Sequence, residues 1–324
     1  MSWSIGIDLG GTNIAVGLVD DSHRIADRET VKTKVPRPAE SLAESMALCI
    51  DNLLARRKLK LSDLSAIGLG LPGLVDGETG LMIEAPNLYL DHIDFISLLK
   101  QHFPQTVIKT GNDGDCAAWG EYLAGEASSF ESALLLTLGT GLGGGFVYKG
   151  KIFRGATGLG IEPGHSAIMA ENGPLCTCGR RGCLEMFISI RGLNRLLQES
   201  LLEAGETPLR RLIRQDRPSE NVKIFFDIVR TGDPAALRVL NRYAAYLAAG
   251  IRTLTVLYRP HIILLGGGIS RAGDLLLEPL RNLLEPEKPD DFILSLPPVL
   301  ISRLGNDAGI IGAAMLHKEG SVPR

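Results

Sequence analysis

Apolar residues follow two patterns along this chain: short unbroken runs, and longer stretches with the spacing of one helix face. Short runs bounded by glycine or proline predict buried strands, and apolar residues three and four positions apart predict helices. Helices are predicted over residues 39–58, 115–123 and 241–258, and strands over residues 66–71, 106–109 and 262–265. Strands that alternate with helices are typical of a layered α/β fold.

Two glycine-containing hairpins are predicted, each made of an apolar strand, a glycine turn and a second apolar strand. The first spans residues 4–20 and has Asp8-Leu-Gly-Gly-Thr12 at its turn. The second spans residues 133–148 and has Gly139-Thr-Gly-Leu-Gly-Gly144 in the matching place. This repetition predicts two related halves. A third glycine cluster, residues 266–268, follows the strand predicted over 262–265.

These glycine turns are candidate phosphate sites. Backbone N–H groups that no side chain covers can converge on phosphate oxygens, and the hydroxyl groups of Thr12 and Thr140 add donors. Tight turns also need glycine for conformational reasons alone, so one hairpin is weak evidence and the three clusters together are stronger. Asp8 would repel phosphate unless a cation lay between them, which predicts Mg²⁺. The chain lacks the Gly-x-x-x-x-Gly-Lys-Ser/Thr motif, which excludes a P-loop.

Composition narrows the class of protein. The 324 residues are 45% hydrophobic and 22% charged, which leaves room for two domains with cores of their own. A formal net charge of -3 argues against a dedicated nucleic-acid binder. No apolar run approaches a membrane span, and no leader segment is recognisable, so we expect a cytoplasmic protein with no membrane partner.

Three of the five cysteines lie close together, at Cys176, Cys178 and Cys183. The first of them, Cys176, follows His165 by eleven positions. Three thiolates and one imidazole are a four-ligand set suited to tetrahedral zinc at a closed structural site. The alternative is a disulfide with a spare cysteine. A Cys176–Cys178 bridge would close a small, strained ring, and the chain shows no signal for an oxidising compartment.

Two glutamates, Glu162 and Glu185, bracket this cysteine cluster. A carboxylate competes poorly for zinc where thiolates are present, so both remain available for another ligand. One ring nitrogen of His165 would bind zinc and the other would meet a hydroxyl group. We therefore expect a zinc knuckle that positions Glu162, His165 and Glu185 against a polar ligand.

The strand predicted over 106–109 leads into Gly111-Asn112-Asp113. A carboxylate at a strand-to-helix junction can project into a cleft and accept a proton from an alcohol. Asp113 could equally be the N-cap of the following helix, because Asp and Asn favour that position. The glycine clusters and the knuckle favour the catalytic role.

Together these motifs resemble the ROK family of sugar kinases, whose two-lobed fold is that of the actin, Hsp70 and hexokinase superfamily (ribonuclease H-like). The resemblance covers essentially the whole chain. Its most specific part is Glu162-x-x-His165 followed by Cys176-x-Cys178-Gly-x-x-Gly-Cys183-x-Glu185. Departures are small: Asn13, Asp115 and Pro163 stand where lysine, asparagine and an aliphatic residue are common.

The resemblance implies a role for each matching residue. ATP and Mg²⁺ would be bound by two phosphate loops and an adenosine loop, formed by Asp8, Gly10, Gly11, Thr12, Gly139, Thr140, Gly141, Gly143, Gly144, Gly266, Gly267 and Gly268. Asp113 would be the catalytic base. The sugar would contact Gly73, Asn87, Asn112, Asp113, Glu162, His165 and Glu185. Structural Zn²⁺ would be bound by His165, Cys176, Cys178 and Cys183.

The resemblance also implies a domain arrangement. Residues 1–111 would form a small α/β lobe that carries the first phosphate loop. Residues 112–304 would form a large lobe that carries Asp113, the second phosphate loop, the knuckle and the adenosine loop. A final helix, at about 305–324 and beginning near Asp307, would pack back on the small lobe.

The expected activity is ATP-dependent phosphorylation of a hexose, with glucose O6 as the first choice and a homodimer as the usual assembly. N-acetylmannosamine and N-acetylglucosamine are alternative acceptors, and polyphosphate is an alternative donor. A non-catalytic, sugar-responsive regulator is a further alternative. Such regulators carry a helix-turn-helix domain before the first hairpin, and this chain begins only a few residues before it.

Overall fold

The computed structural model describes residues 2–203, 207–213, 217–285 and 295–321. Its contacts divide the chain into two compact units. Unit one comprises Met1–Leu135, Gly144–Ile161 and Arg303–Arg324, and unit two comprises Leu136–Gly143 and Glu162–Ser302. The division into lobes at residue 111 stays a prediction.

Strands and helices alternate along the chain, as the apolar pattern predicts. The strands are β1 (Trp3–Leu9), β2 (Asn13–Asp20), β3 (Ile25–Lys32), β4 (Leu64–Leu71), β5 (Leu74–Val75), β6 (Met82–Ala85), β7 (Leu90–Ile93), β8 (Ile108–Asn112), β9 (Ser132–Leu138), β10 (Leu142–Tyr148), β11 (Lys151–Ile152), β12 (Ile262–Gly266) and β13 (Val299–Ile301). The helices are α1 (Ala39–Arg57), α2 (Phe95–Lys100), α3 (Asp113–Ala124), α4 (Glu185–Ile188), α5 (Ile190–Glu203), α6 (Pro208–Leu212), α7 (Pro218–Arg230), α8 (Pro234–Tyr258), α9 (Gly267–Ser270), α10 (Asp274–Leu284) and α11 (Asp307–Ala314).

Two five-stranded sheets share one topology. The first has the order β3-β2-β1-β4-β8, and the second has the order β11-β10-β9-β12-β13. In the first sheet β1 pairs antiparallel with β2 and parallel with β4, and β4 pairs parallel with β8. Each predicted glycine hairpin supplies the central strand of its sheet and a neighbour. The predicted repetition is therefore confirmed in the strand order.

The observed elements differ from the predicted ones mainly at their ends. The strand predicted over 106–109 is β8, which starts at Ile108 because the Thr106 N–H donates to the Phe103 carbonyl in the preceding turn. The helix predicted over 241–258 is the second part of α8. This helix starts earlier, with Asp233 as the N-cap whose side chain accepts from the Ala236 N–H.

Helix α11 packs directly on the first sheet, with a row of glycines beneath it. Gly6 on β1 is in register with Gly17 on β2 and with Gly68 on β4. A Cβ atom at Gly6 would overlap the carbonyl oxygen of Ile310, and one at Gly68 would overlap that of Ala313. The missing side chains thus allow the helix backbone to approach the sheet closely.

The C-terminal segment has two parts. Helix α11 ends at Ala314, and the short 3₁₀ helix Leu316–Lys318 follows it. Residues 322–324 of the predicted final helix lie outside the described residues. Across the described part of the chain, none of the helices combines the length and apolarity that a membrane crossing requires.

Candidate active site

Asn112 and Asp113 occupy the junction between β8 and α3. The Oδ1 atom of Asn112 accepts from the N–H groups of Gly114, at 2.8 Å, and Asp115, at 3.2 Å. Asn112 is therefore the N-cap, and the alternative assignment of Asp113 as the N-cap is wrong. The Nδ2 atom of Asn112 donates to the Gly73 carbonyl oxygen at 2.9 Å, which fixes the Asn112 amide.

Asp113 remains accessible to solvent, but many protein atoms lie near its carboxyl group and exclude part of the surrounding water. This desolvation raises the pKa of Asp113 from 3.8 to about 6, although a hydrogen bond from the Gly114 N–H lowers it. Desolvation also raises the pKa of Asp8, on β1, to about 6, and the negative charge of Asp113 adds to that rise. Unit one thus holds two electrostatically coupled carboxyl groups.

The turn of the first hairpin is held by hydrogen bonds in unit one. The Gly10 N–H donates to the Asn13 carbonyl at 2.9 Å, and the Thr33 hydroxyl donates to the Gly10 carbonyl at 2.6 Å. A Cβ atom at Gly11 would lie 3.7 Å from the Asn87 carbonyl oxygen. The structure therefore brings Asn87 next to the first glycine turn. Sequence reasoning missed Thr33, because a single threonine after a strand forms no motif.

The second hairpin turn and the third glycine cluster adjoin in unit two. The Gly139 N–H lies 3.1 Å from the Thr137 carbonyl oxygen and 3.0 Å from that of Gly141. Gly267 begins α9 with a φ of +85°, and any Cβ atom there would meet the backbone of Leu138 at 2.5 Å. A side chain at Gly268, in contrast, would enter open space.

Gly144, at the far end of the second turn, belongs to unit one. A Cβ atom at Gly114 would lie 2.7 Å from the Gly144 carbonyl oxygen and 3.1 Å from its nitrogen. Gly144 therefore lies against the first turn of α3, next to Asp113.

The four predicted metal ligands converge in unit two. One ligand atom from each of His165, Cys176, Cys178 and Cys183 lies within 4.8 Å of all the others. The Nδ1 atom of His165 is 3.6 Å from the Cys176 sulfur, and the Cys178 and Cys183 sulfurs are also 3.6 Å apart. These cysteines are free, so the disulfide alternative is wrong. The donor set suits a tetrahedral Zn²⁺ site.

The local fold of the knuckle depends on two left-handed glycines. Gly179 has a φ of +81° and Gly182 a φ of +74°. The Gly179 N–H donates to the Cys176 carbonyl at 3.0 Å, and the Cys176 N–H donates to the Arg180 carbonyl at 2.8 Å. The chain can therefore turn back within a few residues, which returns Cys183 to the other ligands.

The knuckle is attached to the second hairpin through Glu185. This buried residue begins α4, and its Oε2 atom accepts from the Leu142 N–H at 3.0 Å. Its Oε1 atom is 3.8 Å from the Cys176 sulfur. Glu162 precedes the 3₁₀ helix Pro163–His165 and accepts from the His165 N–H through its carbonyl. Unit two thus joins the knuckle, Glu162, His165, Glu185 and the second glycine turn.

Known proteins resemble this chain over nearly its whole length. The glucokinase of Halalkalibacterium halodurans is 34% identical over 324 residues, an alignment that covers 98% of this chain and 95% of the relative. The N-acetyl-D-glucosamine kinase of Haemophilus influenzae is 30% identical over 322 residues, covering 96% of this chain and 98% of the relative.

Among solved structures, a ROK family glucokinase from Streptomyces griseus, in complex with glucose and AMPPNP, matches with a TM-score of 0.76. It is 30% identical, and the match covers 97% of this chain and 99% of that one. The agreement confirms the predicted fold class. The family model described as ROK family matches residues 4–320. With this match over almost every residue, the chain belongs to the ROK family.

Proposed function

We propose that this ROK protein is an ATP-dependent sugar kinase that transfers the γ-phosphoryl group of ATP to a hexose hydroxyl, preferably glucose O6. The observation that carries the proposal is the partly desolvated carboxyl of Asp113, an exposed residue whose pKa is about 6, beside the anchored amide of Asn112. The glucokinase and N-acetyl-D-glucosamine kinase relatives support a sugar as the acceptor.

Asp113 is the proposed general base. Phosphoryl transfer to an alcohol requires an acceptor for the hydroxyl proton, and a carboxylate within hydrogen-bond reach can serve. The carboxylate is ionised at neutral pH, because its pKa is about 6. It is also more basic than an ordinary aspartate. Gly73 and Asn87, with the fixed amide of Asn112, would orient the sugar in unit one.

The first glycine turn is proposed to bind phosphate and Mg²⁺. Asp8 offers a carboxylate oxygen, a ligand type that Mg²⁺ prefers, and would hold the ion through water. Desolvation, and then the charge of Asp113, raise the pKa of Asp8, and a divalent cation beside it would favour the ionised form. Gly10, Gly11 and Thr12 would donate hydrogen bonds to phosphate oxygens. Bound Mg²⁺ would neutralise charge on the transferred phosphoryl group.

In unit two, Gly139, Thr140, Gly141 and Gly143 are proposed to form the second phosphate loop, which Gly144 continues in unit one. The contact between Gly267 and Leu138 supports a shared role for the adjoining cluster. Gly266, Gly267 and Gly268 would then lie against the adenosine.

The zinc knuckle is proposed to position sugar-binding groups. His165 turns Nδ1 toward the thiolates, which leaves Nε2 for a sugar hydroxyl. Glu185 has one oxygen committed to Leu142, so its second oxygen is the one proposed to meet the sugar, together with Glu162. Zn²⁺ at this closed site would be structural.

A coupled ADP-release assay over glucose, N-acetylglucosamine and N-acetylmannosamine tests the proposal. We expect the highest kcat/KM with glucose. Asp113→Asn should lower kcat by about 10²–10⁴-fold. Asp51→Asn, an exposed position on α1, is the matched control and should retain full activity.

Two outcomes would contradict the proposal. Full activity in Asp113→Asn would remove Asp113 as the base. Sugar binding without ADP release for any acceptor would favour the regulator alternative. In contrast, the highest kcat/KM with N-acetylglucosamine would change the assigned substrate but leave the proposed reaction in place.

A further inference from the structure

Unit one contains a polar cavity of about 320 Å³ that none of the residues assigned to phosphoryl transfer lines. We call it the basic cavity. Its polar lining residues are Lys109, Thr110, Lys151, Arg154, His317 and Glu319. The volume lies at the lower end of the range of about 300–1,000 Å³ that is usual for small-molecule sites.

One wall of the basic cavity is a fixed ion pair. The Nη1 and Nη2 atoms of Arg154 donate to Glu319 at 2.7 and 2.9 Å, in a bidentate arrangement. The Ile152 N–H donates to Glu319 as well, at 3.0 Å. Glu319 therefore accepts three hydrogen bonds, and Arg154 neutralises its charge. The bonds to Glu319 use two of the five N–H groups of Arg154, whose side chain is only 18% exposed.

Two lysines supply the net charge of the cavity. Lys109, on β8, and Lys151, on β11, are exposed and form no ion pair with any residue that the structure describes. The stem of Lys151 runs past Gly320, where an added Cβ atom would lie 3.4 Å from Lys151 Cε. With Arg154 and Glu319 cancelling each other, the two lysines leave the cavity with two positive charges.

The remaining polar groups do not offset this charge. The Thr110 hydroxyl donates to the Gly80 carbonyl at 2.7 Å. The Nδ1 atom of His317 is 3.0 Å from the Ala314 carbonyl oxygen, and burial lowers the pKa of His317. His317 is therefore neutral at pH 7.

We propose that the basic cavity binds the phosphate group of a small phosphate-bearing molecule, held between Lys109 and Lys151. A phosphate group carries about −1.5 to −2 charges at pH 7, which matches the two unpaired lysines. Lysine binds phosphate as a point charge, and both lysines line the same cavity. A monovalent anion such as acetate would satisfy only half of this charge.

Isothermal titration calorimetry on the intact protein, without sugar or nucleotide, tests the proposal. The probes are inorganic phosphate, glycerol 3-phosphate and acetate. We expect saturable one-to-one binding of a phosphate probe, weaker binding of acetate, and loss of affinity at high salt. The Lys109→Gln/Lys151→Gln variant should bind at least about tenfold more weakly, because each lysine contributes a charge-assisted hydrogen bond.

Lys149→Gln is the matched control. Lys149 is exposed, lies two residues before Lys151 in the chain, has its Nζ 5.2 Å from the Tyr148 ring centroid, and does not line the cavity. This variant should bind like wild type, and the Lys109→Gln single variant should fall between wild type and the double variant. Tighter binding of glycerol 3-phosphate would identify an ester as the ligand, and tighter binding of inorganic phosphate would identify the free ion.

Unchanged affinity in the double variant, or no saturable binding of either phosphate probe to wild type, would overturn the proposal. Circular dichroism of each variant checks that the fold is retained. The proposed glycine loops could also bind a phosphate probe, but the lysine substitutions alter the basic cavity alone, so a loss of affinity in the double variant is distinguishable from the proposed phosphoryl transfer.

Discussion

Asp113 and Asp8 have carboxyl groups that the surrounding protein makes harder to ionise. The pKa of each is raised to about 6, first by desolvation and, for Asp8, then by the charge of Asp113. A general base is most effective when its pKa lies close to the working pH. The surroundings of Asp113 therefore fit the proposed chemistry better than an ordinary surface aspartate would.

This shift predicts the pH dependence of the proposed reaction. Below a pH of about 6 Asp113 becomes protonated and cannot accept the sugar proton, so kcat/KM should fall by up to about tenfold per pH unit. A pH series of the ADP-release assay measures this. A rate that stays constant down to pH 4.5 would contradict the assignment.

The same shift has a consequence for stability. The folded-state pKa of Asp113, about 6, exceeds the ordinary value of 3.8, so the folded protein holds the proton more tightly than the unfolded chain. The resulting contribution of protonated Asp113 to the free energy of unfolding is fully present below pH 3.8 and is lost as the pH rises through 6. Asp113→Asn, which cannot ionise, should lack this contribution to the pH dependence. Thermal melts of wild type and Asp113→Asn between pH 4 and pH 7.5 measure this difference. Identical pH dependence of the two melting temperatures would contradict the prediction.

Residues with local signals were predictable from the sequence. The cluster of candidate metal ligands was predictable because three cysteines and a histidine at short spacing are typical of a zinc site, and the structure brings the four side chains together. Which of two adjacent polar residues would cap α3 was not predictable, because Asn and Asp both favour that position. Only the hydrogen bonds of Asn112 to Gly114 and Gly73 separate the two roles.

At the scale of elements, the close contact between α11 and the first sheet depends on glycines that have no phosphate role. Gly6 and Gly68 lie on neighbouring strands beneath the backbone of α11. Sequence reasoning missed this function because the contacting residues are hundreds of positions apart in the chain. It also missed the sheet of β5, β6 and β7, whose strands of two to four residues are too short to show alternation.

Gly68→Ala should destabilise unit one by about 1–3 kcal/mol or more, since the new methyl group meets the Ala313 backbone, which cannot rotate away. Urea unfolding followed by tryptophan fluorescence measures the change in free energy of unfolding. The matched control is Gly17→Ala, whose only close overlap is with a side-chain atom, the Cγ2 of Ile310 at 2.5 Å, while the nearest backbone atom, the Asp27 carbonyl oxygen, lies at an ordinary 3.8 Å. Equal losses in both variants would show that backbone overlap does not decide the cost.

At the scale of the whole molecule, each unit has its own spectroscopic or chemical marker. Trp3 and Trp119, the two tryptophans of the chain, belong to unit one, and the four candidate metal ligands belong to unit two. Trp119 is buried, and its Nε1 donates to the Met315 carbonyl at 3.1 Å. Tryptophan fluorescence therefore reports on unit one, including the docking of the C-terminal segment.

Removal of zinc should lower the stability of unit two far more than that of unit one. Structural zinc contributes several kcal/mol to folding, so the unfolding transition seen by circular dichroism should start about 10 °C lower. The fluorescence transition should move much less. Chelation followed by both signals tests this, with metal content measured in parallel. Two transitions that shift together would show that the units unfold as one.

Cys178→Ser should reproduce the effect of chelation, because it removes one of the four candidate ligands. Leu175→Ser is the control on the same knuckle, since Leu175 is 59% exposed and offers no ligand. Under the proposed function, zinc loss should also raise the KM for sugar through His165. An unchanged KM would separate the metal from sugar binding.

The position of α11 affects how the protein can fold as it is synthesised. Strands β1 and β4 leave the ribosome well before the helix that covers their glycines, because α11 follows them by more than two hundred residues. Until residues 307–314 emerge, this face of the nascent sheet is bare and open to chaperones or to premature association. Completion of unit one must therefore wait until residues 307–314 have been synthesised.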